Sequence, residues 1–236
     1  MVQKKKLVKH KKSITKKNHL HLWDIPKKYF PRNTKSKEYV RDLLLITNSL
    51  QYTNRNIQYS AQVSVFNIKS INDLHFVPKP DDVFREIELF VYHYENYCFR
   101  LYAYREKLMQ FINAVLPVGY EDKEVRMRHI LINPIVKQAG LIPYFEKFKT
   151  NAFLSNVIAD RAKLTHRLYY NKEFDRYLRP QTKKEIKSDT EFSNWCNEWK
   201  KEILLRGQRT NKCTFIIDDI NNSLAKKLTD YKINTK

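Results

Sequence analysis

The chain has 236 residues, with 45 Lys and Arg against 25 Asp and Glu, a formal charge of +20 and three glycines. That length can bury a full core and carry an extension, and a charge excess of this size draws a chain to polyanions through counterion release. Three glycines exclude the phosphate loops GxxxxGK and GxGxxG, and with them nucleotide chemistry on a P-loop or Rossmann scaffold.

Cys98, Cys196 and Cys213 form no CxxC or Cys/His spacing, which argues against a disulfide framework or a structural zinc and fits a reducing compartment. No apolar run approaches the roughly 20 residues of a membrane span, and the N-terminus lacks a signal-peptide core, so a cytoplasmic protein without membrane contact is expected.

Residues 1–18 hold eight lysines and read as a solvated arm, free or touching nucleic acid. From Ile57 the chain alternates, with Ile57, Tyr59, Ala61, Val63 and Val65 on one side and Gln58, Ser60, Gln62 and Ser64 on the other. That alternation predicts a half-buried strand. Its partner is the apolar stretch from Leu43 to Ile46, which with Tyr39, Val40 and Leu50 also fits a helix. Residues 1–79 are therefore expected to be an N-terminal extension with some β structure, bounded by Pro78 and Pro80.

Beyond Pro80 the pattern becomes helical. Asp81 and Asp82 put carboxylates at a helix N-terminus. Val83, Ile87, Phe90, Tyr94, Tyr97, Leu101, Tyr104, Leu108, Phe111 and Val115 then recur at steps of four and three until Pro117 and Gly119. This predicts a helix of about nine turns, the spine of a bundle or a dimer seam, its aromatics packed in the core. Val125, His129, Ile132 and Val136 suggest a second helix, with His129 a core or edge histidine. Leu154, Val157, Ile158, Leu164 and Leu168 suggest a third, after a Thr150-Asn151 cap. A fourth runs from Phe192 to Gly207 and a fifth from Phe215 to Leu228. The expected fold is all-α, a bundle of four or five helices over residues 80–236 with a small, partly β N-terminal extension.

On the third helix Arg161 lies near the middle of the apolar stripe, where a guanidinium needs a carboxylate or an anion to offset its desolvation. His166 follows five residues later at the stripe's edge. The segment Arg161-Ala162-Lys163-Leu164-Thr165-His166 is the chain's one Arg-x4-6-His match. The spacing alone is expected about once by chance in a chain this basic, so its helical context carries the argument. Lys163 and Arg167 could guide a phosphate backbone, and Tyr170 is the candidate base-stacking residue. The bland alternative is an arginine salt-bridged to Glu95 or Glu106 of the long helix.

With this motif, and with the long-helix segment from Tyr94 to Leu108, the sequence resembles the HEPN superfamily over roughly residues 80–175. These are helical-bundle proteins whose Arg-x4-6-His motif forms a metal-independent ribonuclease site across a dimer. Ala162 stands where the family often has a polar residue. The resemblance implies RNA as substrate, a homodimer, no metal or other cofactor, a toxin or antiviral role, and an antitoxin or regulatory protein as partner. Arg161 and His166 would be the catalytic residues. The competing expectation is a HEPN-like module that binds nucleic acid or a protein without catalysis.

Overall fold

The long apolar stripe becomes the spine of the molecule. In a computed structural model, described here for residues 21–26, 37–73, 80–116, 118–166 and 188–234, the helix Pro80–Val115 buries every stripe member from Ile87 to Val115 to 2% exposure or less. We number the helices α1 (Lys37–Asp73), α2 (Pro80–Val115), α3 (Met127–Ile132), α4 (Pro134–Gln138), α5 (Ile142–Thr150), α6 (Ala152–His166) and α7 (Asp189–Asn234). Because the stripe is covered from within the chain, it is a bundle spine and not a dimer seam. The lysine-rich arm, residues 1–18, lies outside the described residues.

The expected strand is a helix. Tyr59 and Ile57 would share one face of a strand, yet Ile57 is fully buried and Tyr59 is 64% exposed, while Ser60 and Ala61 are buried together. The seam of α1 is Leu43, Thr47, Leu50, Asn54, Ile57 and Ala61, steps of four and three in which polar residues hold core positions. Those polar members are satisfied in place: Thr47 donates to the Leu43 carbonyl one turn back at 2.6 Å, and Asn54 accepts from the Asn221 amide of α7 at 3.3 Å. Alternation over residues 57–65 was thus a by-product of a polar-containing helical seam, and among the described residues there is no strand. Ile57→Ala is expected to cost about 2–4 kcal/mol of stability, and Tyr59→Ala less than about 0.5 kcal/mol. Urea unfolding of the two variants checks this, and equal losses would contradict the helical placement.

Helix α1 runs antiparallel to α2, pinned at one end by the Tyr39 hydroxyl donating to the Ala114 carbonyl at 2.6 Å. Helix α7 packs against both. The buried phenols of the spine mark this junction, since each needs an acceptor. Tyr97 donates to the Thr210 carbonyl at 3.0 Å. Tyr104 donates to Asn221, whose amide donates on to Asn54 at 3.3 Å, so α2, α7 and α1 meet in one buried polar chain.

Two expected boundaries shift. The helix predicted over Val125–Val136 is split at Asn133, whose side-chain oxygen accepts from the amides of Ile135 and Val136 and caps α4, with Pro134 at its first position. This leaves Ile132 75% exposed and His129 half-buried at an edge, against Tyr120. The fourth and fifth predicted helices are one, α7. Gly207 sits on its buried stripe between Ile203 and Thr210 and does not end it. One interior glycine costs about 1 kcal/mol, less than burial of that stripe returns. No helix among the described residues is long and apolar enough to cross a membrane.

Candidate functional site

Helix α6 starts at Asn151, which accepts from the amides of Phe153 and Leu154 at 3.1 and 3.3 Å and so confirms the expected cap. Leu154 and Val157 drive its inner face into the core. One turn further on, that rotation delivers Asp160 and Arg161 to the rim between α6, α2 and α7.

Arg161 is half-buried, its guanidinium carbon 4.1 Å from the ring centroid of Tyr102 and 5.8 Å from that of Phe99, residues one turn apart on α2. A cation over an aromatic face is stabilised by about 0.5–2 kcal/mol. A guanidinium can lay its flat face on a ring and hold an anion through the N–H groups in its plane. Tyr102 takes a second guanidinium, that of Arg105, at 4.5 Å.

Of the two orienting candidates, Glu106 is held by Arg105 at 2.8 Å, and Glu95, half-buried on the same side of α2, has its pKa raised by burial.

Beside Arg161 lies a network that sequence reasoning missed. Asp160 accepts from the Tyr94 hydroxyl at 2.5 Å and from Arg209 of α7 at 3.1 Å, with its side chain 14% exposed. Arg206 lies over the Tyr94 ring at 5.1 Å and bonds Glu202. Burial, then the neighbouring Cys98 and Asp160, hold the Tyr94 phenol far above its ordinary pKa, so it stays protonated and donates. Asp160 thereby fixes the rotation of α6 just where Arg161 projects. The available signal was Tyr94 itself, a phenol in a fully buried stripe that had to find an acceptor.

Helix α6 continues through His166, which on helical geometry stands about 7.5 Å along the axis and roughly 140° round from Arg161. The side chains of Lys163 and His166, and Arg167 and Tyr170 altogether, lie outside the described residues. Among the described residues no group of three or more His, Cys, Asp or Glu side chains could hold a metal ion.

The decisive comparison is with protein families: the profile of the Cthe2314-like HEPN family matches residues 44–230. The chain belongs to the HEPN superfamily. The HEPN match begins inside α1, so residues 44–79, assigned from sequence to an extension, fall within the matched region. It also takes in Arg161, His166 and the whole Asp160 network. No curated protein and no solved structure matches the chain.

Proposed function

We propose that this HEPN protein is a metal-independent endoribonuclease working as a homodimer, with Arg161 and His166 as its catalytic residues. The observation that carries the reading is Arg161 itself. It stands half-buried at a three-helix rim, its guanidinium over the faces of Tyr102 and Phe99, on the helix that carries the Arg-x4-His motif inside the matched region.

In this mechanism one His166 takes the proton of an RNA 2′-hydroxyl. The 2′-oxygen attacks phosphorus, the bond to the 5′-oxygen breaks, and the leaving oxygen takes a proton from the second copy's imidazolium. Arg161 holds the scissile phosphate through charge-assisted bonds as negative charge grows on it. One imidazole cannot be base and acid in the same step, which is the chemical case for two copies. Lys163 and Arg167 would guide the phosphate backbone and Tyr170 would stack a base. A cytoplasmic toxin or antiviral role, restrained by an antitoxin or other regulator, fits such an activity.

The test is the chemistry of the ends. Cleavage is expected to leave a 2′,3′-cyclic phosphate and a 5′-hydroxyl, and a single 2′-deoxy substitution at the scissile nucleotide should abolish it. Products with a 5′-phosphate, or cleavage that survives the deoxy substitution, would sink the mechanism. RNA binding with no cleavage would mark a non-catalytic module.

A further inference from the structure

On the side of α7 facing away from Arg206 and Arg209, the seam with α1 is open. Its two cavities, of about 510 and 500 Å³, share Gln58 and Asp218 and so form one groove. Volumes in this range suit a small ligand or a few of its flat groups. The mutually bonded Asn54 and Asn221 line one half. At one end stands Phe215, 75% exposed; at the other Trp23 stacks on His21, ring centroids 5.2 Å apart and 8° from parallel.

Two features restrict what fits. Among the described lining residues Arg55 is the only Lys or Arg, and the rest are chiefly amides and aromatic rings, which suit bases better than phosphates. Among the described residues the one hydrogen bond to Asp218 comes from Gln58, at a long 3.4 Å. A carboxylate has about four acceptor positions, so this one can take further N–H donors, and the amides of Gln62 and Asn211 beside it can both donate and accept.

We propose that this groove binds unpaired bases of single-stranded RNA, their rings against Phe215 and the Trp23–His21 stack and their edges on Asp218, Gln58 and the neighbouring amides. Aromatic faces accept any base, while amide and carboxylate edges distinguish one base from another. The chain's +20 charge attracts the backbone from outside the groove. That charge, with flat aromatic surface at both ends, favours RNA over an extended peptide, which amides would also suit. The proposal stands apart from the cleavage reading, because it involves neither Arg161 nor His166.

The experiment is fluorescence anisotropy of the full chain with labelled 2′-O-methyl oligo-A, -C, -G and -U, which bind but cannot undergo 2′-oxygen attack, across a salt series. Adenine, cytosine and guanine offer exocyclic amines to Asp218 and uracil does not, so oligo-U is expected to bind most weakly. Asp218→Asn should narrow that gap. Phe215→Ala should weaken binding about tenfold by loss of stacking, with the dependence on salt unchanged because no phosphate contact is lost. The ring is exposed, so thermal unfolding should be unaltered. Unchanged RNA affinity of Phe215→Ala, as a peptide groove would give, overturns the proposal. So do a loss that comes with a shallower salt dependence, and absence of RNA binding by the wild type.

Discussion

Arg161→Ala is expected to lower RNA cleavage roughly a hundredfold to a thousandfold, the range found when one preorganised donor to a developing anion is removed. The loss should fall on the chemical step, read in single-turnover kinetics, because the bonds to the phosphate strengthen as charge accumulates. Arg161→Lys should recover only part of the rate, since an ammonium is a point charge without the planar fork that matches two phosphate oxygens. The contacts with Tyr102 and Phe99 are of the kind worth about 0.5–2 kcal/mol, less than the expected loss in rate. A structural arginine would reverse this ordering, with a large loss in unfolding free energy and cleavage that persists in the folded fraction.

The neighbouring residue should behave in the opposite way. Asp160→Ala strands the Tyr94 hydroxyl and Arg209 in a largely enclosed space. Removing one partner of a buried charged network costs about 3 kcal/mol. Asp160→Asn keeps an acceptor for Tyr94 and should lose about half of that, and Tyr94→Phe, which gives up one hydrogen bond, about 1 kcal/mol. Urea unfolding midpoints at constant m-value measure the series. A loss under about 1 kcal/mol for Asp160→Ala would show that α6 is not held by this residue.

The sequence made the spine of the bundle legible because its apolar positions repeat without a polar interruption from Ile87 to Val115. Helix α1 was misread because Thr47, Asn54 and Ser60 are buried, and a seam that includes hydrogen-bonded polar residues does not look apolar. Gly207 was misread as a terminus because a glycine on a buried stripe and a glycine after a helix are the same letter. Asn133-Pro134, a cap followed by a first-turn proline, was the opposite case, a visible signal passed over. At the candidate site the amphipathic placement of Arg161 was readable. What it packs on was not, since Tyr102 and Phe99 lie some 60 residues away, and the partner of Asp160 depends on how α2 and α7 cross.

The measurement that bears most directly on the central claim is RNA cleavage in EDTA by the wild-type chain and by His166→Ala at matched concentration. Wild-type activity should persist in the chelator and His166→Ala should fall roughly a hundredfold or more, as expected for loss of the proton-transferring group. Equal cleavage by the two proteins, or a wild type that cuts only when a divalent metal is restored, would contradict the account.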